Sequence, residues 1–347
     1  MYIKKILWTI ALLGLVVCGY FAFTIYITLF SPNTKFNNKE AVIFIYSGSD
    51  YTDVREDLKP LLKDISSFDM VAKRKKYTDN IKTGRYIISN GMNNNEIINT
   101  LRIKKTAVSV SFNNQHSISL LAQRIARQIE PDSAALHQTM IDPSFLSENG
   151  FNQNTALAMY IPNSYQIYWD TSAEEFRNRM LQEYKKFWNP ERIKKAKAIN
   201  KTPVEVMTLA SIVHEESKQA EEQPTVAGVY LNRLRTGMKL DADPTLKYAA
   251  YQLPEYQNTI IKRVLNKHKN INSPYNTYRN AGLPPGPIAM PDLSAINAVL
   301  KNEKHDYLYF VADAKKIGHH KFAKTLQQHN RNAREYHSYL TQNRIFN

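Results

Sequence analysis

The stretch Leu209-Ala-Ser-Ile-Val-His-Glu-Glu-Ser217 places two adjacent carboxylates at the end of an apolar run. An ionised carboxylate that is buried without a partner is energetically costly, and burial raises its pKa. One of the two glutamates is therefore the candidate for an acid that takes part in chemistry.

Helical spacing separates these two glutamates. At roughly 100° per residue, Glu215 lies on a polar stripe with Thr208 and Ser211, and we expect it to be solvated. Glu216 lies next to Leu209 on the helical wheel, at the edge of the apolar face. A carboxyl group in that position can stay protonated near neutral pH and act as a general acid. The alternative is a structural ion pair between Glu216 and a nearby arginine or lysine.

Length and charge limit the class of protein. The 347 residues are enough for two or three compact units. The net charge of +15 favours an anionic partner, which by charge alone includes nucleic acid, lipid headgroups and an acidic wall polymer. The single cysteine, Cys18, lies in an apolar segment, so the sequence predicts neither a disulfide framework nor a cysteine metal site.

The N-terminal sequence predicts a membrane anchor. Residues 1–5 are short and basic, and residues 6–30 carry no charge, which is long enough to span a bilayer. Lys4 and Lys5 predict a cytoplasmic N-terminus, with the rest of the protein outside. A cleaved signal peptide would have a shorter apolar core. A lipoprotein site would need a small residue before Cys18, where Val17 stands.

The remaining chain predicts a mixed α/β (α+β) protein. We expect a polar linker at 31–40, a small module at 41–105, a connecting α/β segment at 106–155 and a last unit at 156–347. Within the module we expect strands at 41–46 and 84–88 and helices at 51–65 and 95–101. This pattern resembles a LysM-like glycan-binding unit. In the last unit, Thr202 and Pro203 predict the start of the helix that carries the two glutamates.

Several other chemistries lack a motif. His214 and Glu215 begin a zinc-protease HExxH pattern, but Lys218 stands where the second histidine is required. The sequence contains no Gly-x-Ser-x-Gly elbow, Walker loop or dinucleotide fingerprint. We therefore predict no metal site and no cofactor.

Eight ordered blocks give a specific resemblance. They are Ala210-Ser-Ile-Val-x-x-Glu216, Val226-Ala-Gly-Val-Tyr-Leu-Asn-Arg-Leu234, Gly237-Met-x-Leu240, Asp243-Pro-Thr245, Tyr275-Asn-Thr-Tyr278, Gly282-Leu-Pro-Pro-Gly-Pro-Ile288, Tyr307-Leu-Tyr-Phe-Val311 and His320-x-Phe322 with His329-Asn330. In this order they resemble the YceG-like (MltG) family of endolytic murein transglycosylases, over nearly all of residues 156 to 340.

The resemblance implies a reaction. Members cut the β-1,4 bond between N-acetylmuramic acid and N-acetylglucosamine within nascent strands, and they leave 1,6-anhydro ends. Because the sugar's own C6 hydroxyl attacks C1, one carboxyl group serves as acid and then as base, whereas ordinary glycosidases need two. The resemblance selects Glu216 for this role. Members commonly have a glutamate where this chain has His214, so an assisting role of that glutamate is in doubt.

The resemblance also implies a location and partners. We expect a bacterial inner (cytoplasmic) membrane protein with one membrane span and its catalytic domain in the periplasm or outside. Its partners would be peptidoglycan glycan strands, the membrane and, as further candidates, cell-wall synthesis proteins, with no nucleic acid.

Other residues of the blocks are candidates for substrate binding or support. They are Asn232, Arg233, Asp243, Thr245, Tyr248, Asn276, Tyr278 and His320. Asn232 and Arg233 would orient Glu216 or bind the glycan, and the alternative for Arg233 is an ion pair in the core. The turn from Asp243 would close one wall of the cleft. The two tyrosines would stack on sugar rings or pack in the core, and the histidine would bind the substrate or be structural.

Two alternative functions remain open from the sequence. A muramidase would hydrolyse the same bond, and Asp243 would then be its second carboxylate. A non-catalytic scaffold of the cell-wall synthesis machinery would bind glycan and release no product.

Overall fold

The computed structural model describes residues 2–256, 259–261 and 263–343. Met1 of the predicted N-terminal segment and residues 344–347 of the predicted last unit lie outside this description. The first element is helix α1, Tyr2–Phe30, which is apolar and long enough to cross a membrane. By length and composition, α1 is compatible with a single membrane span.

The described chain divides into two compact units. Unit 1 comprises the residues up to 110, together with 128–131 and 165–171. Unit 2 comprises residues 111–127, 132–164 and 172 onwards. The predicted connecting segment 106–155 therefore falls largely in the same unit as the predicted catalytic segment. Helices and strands occur in both units, so the predicted mixed α+β class is confirmed.

Unit 1 contains a two-stranded antiparallel sheet and three helices besides α1. The elements are β1 Glu40–Ile45, α2 Tyr51–Leu58, α3 Ile65–Arg74, β2 Gly84–Ser89 and α4 Asn94–Ile103. In the sheet, Val42 lies opposite Ile87. Alternation along β1 buries Ile43 and Ile45 against the helices, where Leu58 is also part of the core. The LysM-like identity of this module is not confirmed.

The prediction of one helix over 51–65 is wrong. Helix α2 ends at Leu58, two residues before Pro60, because a proline has no N–H group with which to continue the helical hydrogen bonds. A second helix, α3, begins after Asp64, whose side chain accepts hydrogen bonds from two backbone N–H groups. Helix α3 lies almost wholly in the segment between 65 and 84, where the sequence predicted no helix or strand.

The first part of the predicted linker 31–40 is packed within unit 1. Asn33 and Thr34 are buried. The Asn33 amide donates to the Asp64 carbonyl at 2.8 Å and to Asn94 Oδ1 at 2.7 Å. A buried amide with satisfied hydrogen bonds fixes the chain at this point, so its polar composition did not indicate a free linker.

The later part of the chain is mostly helical. Its helices are α5 Ile118–Ala126, α6 Ser133–Met140, α7 Pro143–Glu148, α8 Ala173–Phe187, α9 Pro190–Ala198, α10 Pro203–Glu216, α11 Gln223–Arg235, α12 Asp243–Tyr251, α13 Asn266–Lys269, α14 Leu293–Lys301 and α15 Leu326–Gln342. Strands β3 Ala107–Phe112 and β4 Asn163–Tyr168 form one pair, and β5 Tyr309–Ala312 and β6 His320–Ala323 form an antiparallel hairpin.

Helix α10 is the centre of unit 2. It starts as predicted, with Thr202 as its cap and Pro203 in its first turn. It packs against α9, α11, α12 and α14. All residues from Val206 to His214 are buried, so the predicted solvated stripe is wrong for Thr208 and Ser211. Neighbouring helices cover that side of α10, and both hydroxyls donate to backbone carbonyls of the helix itself.

Candidate active site

Glu216 is the last residue of α10, and Ser217 leaves the helix in an extended conformation. The Glu216 side chain lies in the wall of a cleft of about 200 Å³. The cleft is otherwise lined by residues of α11, of the turn into α12, of the loop at 278 and of the β5–β6 hairpin. They are Tyr230, Arg233, Leu240, Asp241, Asp243, Tyr278, Phe310, Val311, Ala312 and His320.

The hydrogen-bond partner of Glu216 is a phenol. Tyr230, on the buried side of α11, donates from its hydroxyl to Glu216 Oε1 at 2.6 Å. Burial and the neighbouring carboxylate raise the pKa of Tyr230 well above its usual value. Tyr230 therefore keeps its proton and remains a donor. At Oε1 the structure therefore places a phenol, and not the arginine or lysine of the alternative ion pair.

The surroundings of Glu216 favour its protonated form. Burial is the largest cause and raises the pKa of its carboxyl group to about 7. The hydrogen bond from Tyr230 and the charge of Lys247 lower this pKa, whereas the negative charges of Asp243 and Glu215 raise it. Near neutral pH both protonation states of Glu216 are thus well populated, as a group that first gives and then takes a proton requires.

A second carboxylate, Asp243, lines the same cleft. Tyr278 donates to Asp243 Oδ1 at 2.8 Å, and Lys269 Nζ lies 4.9 Å from the centre of the Tyr278 ring. Burial and the charge of Asp243 raise the pKa of Tyr278 above its usual range. The structure therefore brings together in the cleft lining five of the candidates from the sequence: Glu216, Arg233, Asp243, Tyr278 and His320.

Arg233 lines the cleft, and its guanidinium bonds to backbone carbonyls and to Asp241. Its guanidinium donates to the Leu308 carbonyl at 2.7 Å and the Leu240 carbonyl at 2.9 Å, and it pairs with Asp241 at 3.2 Å. These bonds join α11 to β5 and to the turn before α12. Arg233 thus forms an ion pair, as in the alternative from the sequence, but its partner Asp241 is exposed and lines the cleft, so the pair does not lie in the core. Asn232 faces a different cavity, where its amide donates to the carbonyls of His305 and Tyr307.

Two further candidates are buried within the cleft's supporting loops. The Thr245 hydroxyl lies 2.8 Å from that of Thr277 and donates to the Ala242 carbonyl. The Asn276 amide donates to the Lys269 and Ile271 carbonyls, and its Oδ1 accepts from the Tyr278 backbone. Thr245 thus ties the start of α12, which carries Asp243, to Thr277, and Asn276 holds the loop that carries Tyr278.

Tyr248 and His320 have different positions. The Tyr248 ring packs on Tyr275, with centroids 4.7 Å apart, and is not part of the cleft lining. His320 does line the cleft. Its Nδ1 lies 2.8 Å from Glu222 Oε2, and its ring contacts Phe310 edge to face.

Glu215 and His214 lie beside the cleft. Glu215 keeps a quarter of its side chain exposed and pairs with Lys218 at 3.0 Å. His214 is buried, with Nδ1 3.3 Å from Asp292 Oδ2. Burial, followed by the charge of Lys218, lowers the pKa of His214, although Asp292 and Glu215 raise it. Between 2 and 343, leaving out 257–258 and 262, no group of three His, Cys, Asp or Glu side chains is placed to hold a metal ion.

The sequence did not single out two important contacts. Tyr230 stands within one of the family blocks, 14 positions after Glu216, but no local pattern indicates that its hydroxyl meets that carboxyl. Glu222 lies 98 positions before its partner His320. No local pattern around Glu222, which is flanked by Glu221 and Gln223, indicates that it is buried.

Comparisons with known proteins point to the same family as the sequence blocks described above. The model of the YceG-like family matches residues 43–335. A Bacillus subtilis (strain 168) protein named endolytic murein transglycosylase is 31% identical over 329 residues, which are 89% of this chain and 88% of that protein. A Streptococcus pneumoniae (serotype 2, strain D39) protein of the same name is 28% identical over 92% of this chain, but this chain spans 62% of it.

A solved structure is also similar. The crystal structure of a YceG-like protein from Listeria monocytogenes matches with a TM-score of 0.57 and 28% identity. The match covers 85% of this chain and 99% of that one. The similarity therefore extends well beyond the residues around the cleft.

Proposed function

This chain belongs to the YceG-like family, and we propose that it is an endolytic murein transglycosylase in which Glu216 is the catalytic acid and base. Relatives that carry this name align with most of the chain. The observation that supports the role of Glu216 is its carboxyl group in the cleft wall, with a pKa raised to about 7.

In the first half of the reaction, protonated Glu216 gives its proton to the glycosidic oxygen of the β-1,4 bond. Tyr230 occupies Oε1, which leaves Oε2 for the substrate. As the bond from C1 to this oxygen breaks, the N-acetylglucosamine side leaves as an alcohol and positive charge develops at C1. The Tyr230 hydroxyl stabilises the carboxylate that forms on Glu216.

In the second half, the C6 hydroxyl of N-acetylmuramic acid attacks C1 and closes the 1,6-anhydro ring. The Glu216 carboxylate takes the proton from O6 and returns to its starting state. No water is consumed, so a second carboxylate is not needed as a base. In this scheme Asp243, which is held by Tyr278, stabilises the positive charge at C1.

The two other parts of the chain have proposed roles in bringing the cleft to its substrate. Helix α1 is the single membrane anchor in the bacterial inner membrane, with Lys4 and Lys5 on the cytoplasmic side. The β1–α2–α3–β2 module is a LysM-like unit that holds the glycan strand; its strand-helix-helix-strand order supports this role. The cell-wall synthesis proteins are the proposed protein partners.

The test of the catalytic role is a Glu216→Gln variant of the full-length protein, incubated with purified sacculi. We expect release of anhydro-muropeptides to fall by about 10²–10⁴-fold, the usual contribution of a general acid. Glu215→Gln is the matched control because it removes the same charge one residue away, where Lys218 is the partner. Normal activity of Glu216→Gln would reject the assignment. If in addition Glu215→Gln were inactive, Glu215 would be the residue on which the reaction depends.

A second candidate function is supported by Asp243. Its carboxylate lines the same cleft as Glu216, so it is a candidate base for the activation of water in a muramidase. Mass spectrometry of the product ends separates the two reactions, because hydrolysis gives reducing ends and the transglycosylase gives anhydro ends. A non-catalytic scaffold would give neither product, and its cellular role would survive Glu216→Gln.

A further inference from the structure

A buried carboxylate joins the end of α10 to the start of β6. Glu222 precedes α11 and is 7% exposed. Its Oε1 accepts the backbone N–H of His320 at 2.7 Å, and its Oε2 lies 2.8 Å from His320 Nδ1. The hydroxyl of Ser217, the residue after Glu216, donates to the same Oε2 at 3.1 Å. Glu222 is thus bonded both to the neighbour of Glu216 and to a histidine of the cleft lining.

In a neutral imidazole ring, this contact determines which nitrogen of His320 carries the hydrogen. An ionised carboxylate can only accept hydrogen bonds, so the nitrogen that faces it, Nδ1, must be the donor. In the neutral imidazole the lone pair then stays on Nε2. The edge-to-face contact with Phe310, with centroids 5.0 Å apart, restricts rotation of the ring. The Nε2 atom has no hydrogen-bond partner among the described residues, and 15% of the His320 side chain is exposed to solvent.

We propose that Glu222 is a positioning residue that fixes the tautomer of His320, and that His320 Nε2 accepts a hydrogen bond from a sugar hydroxyl of the glycan strand. The histidine touches the substrate, and Glu222 acts only through the histidine. Since this inference takes the glycan as the ligand of the cleft, it rests on the proposed function. It adds to that function a second polar group that orients the strand beside Glu216.

The geometry of amide side chains allows a matched pair of variants. The amide of His320→Asn can replace Nδ1 as the donor to Glu222, but it has no atom at the position of Nε2. The longer His320→Gln side chain places its amide near Nε2. A purely structural role of His320 would therefore be kept best by asparagine, whereas a role in binding sugar would be kept best by glutamine.

The binding test is made in the inactive Glu216→Gln background, so that it does not depend on cleavage. We expect His320→Asn to weaken the binding of purified glycan strands by about 3–10-fold, the usual value of one hydrogen bond. We expect His320→Gln to recover part of this loss. Equal affinities of the two variants, or a better affinity for asparagine, would overturn the proposal.

Glu222→Gln tests the positioning role. Its amide would face Nδ1 with a donor, so His320 would carry its hydrogen on Nε2 and lose the acceptor. We expect Glu222→Gln to weaken glycan binding about as much as His320→Asn, and the double variant to be no worse than either single variant. Additive losses would overturn the positioning role. Thermal unfolding of each variant excludes loss of fold as the cause. If the wild-type protein releases no product from sacculi while the variants still show this binding pattern, the proposed reaction alone is rejected.

Discussion

The Tyr230 hydroxyl lies 2.6 Å from Glu216 Oε1 and joins the middle of α11 to the last residue of α10. This hydrogen bond opposes burial: burial favours the protonated carboxyl group, whereas the phenol favours the carboxylate. The balance leaves the pKa of Glu216 at about 7. The following predictions depend on this balance and on the loops that surround it.

In the proposed reaction, the pH dependence of the enzyme follows the protonation of Glu216. The first step needs the protonated form, so we expect kcat/KM to be level below the pKa and to fall above about pH 7. The measurement is kcat/KM for release of anhydro-muropeptides across pH 5 to 9. A profile without any decline at the alkaline side would contradict a glutamic acid as the proton donor.

Tyr230→Phe should move the alkaline limb of the pH profile, the range in which kcat/KM falls, to higher pH. The variant loses the hydrogen bond that lowers the pKa of Glu216, so the protonated form persists further. We also expect kcat to fall about tenfold or more, because a hydrogen bond to a charged group contributes ~1.5–3 kcal/mol. Tyr275→Phe, which removes a phenol outside the cleft lining, is the control. The prediction fails if kcat/KM of both variants falls at the same pH as kcat/KM of the wild type.

Asp243→Asn should move the alkaline limb in the opposite direction. The negative charge of Asp243 raises the pKa of Glu216, so its removal lowers that pKa. For a transglycosylase we expect slower release of products that still carry anhydro ends. Selective loss of reducing ends, measured by mass spectrometry, would instead show that Asp243 activates water.

Glu216→Gln should be more stable than the wild type at alkaline pH. In the folded protein the pKa of Glu216 is about 7, above its ordinary value of 4.5. The folded state therefore holds this proton more tightly, and its stability falls as the pH rises from 4.5 to 7. We expect a gain of up to ~3 kcal/mol in the free energy of unfolding above pH 7 and none near pH 4. Urea unfolding at both pH values measures the difference, and an equal gain at both would contradict the titration of Glu216.

Gly286→Ala should destabilise unit 2 by a steric clash. A Cβ at this position would lie 2.0 Å from the backbone oxygen of Asn154, and we expect a cost of at least ~1–3 kcal/mol from overpacking. Gly282→Ala is the comparison, since no atom lies within 4 Å of its added Cβ and only its φ of +86° is unfavourable, at ~1–2 kcal/mol. Urea unfolding of both variants tests the order, which would be contradicted if Gly286→Ala were the milder change.

Local patterns in the sequence determined the elements whose causes are local. The apolar run up to Phe30 predicted α1, and Thr202 with Pro203 predicted the start of α10. Apolar spacing on α10 selected Glu216 over Glu215 as the candidate acid, and the ordered blocks selected the family. Local spacing failed at Pro60, where one predicted helix became two, and at Asn33, whose polar side chain is buried in a hydrogen-bond network.

The tertiary structure alone decided which side chains meet at the cleft. Tyr230 reaches Glu216 because α11 packs against α10, and His320 reaches Glu222 across 98 positions of sequence. Asp243 and Tyr278 meet because Thr245, in the first turn of α12, bonds to Thr277, the residue before Tyr278. Helical and strand periods describe which face of one element is apolar, but they contain no information about which distant residue that face will contact. The sequence therefore selected the candidate acid, and the packing of distant segments supplied both the burial and the Tyr230 hydrogen bond that set its pKa.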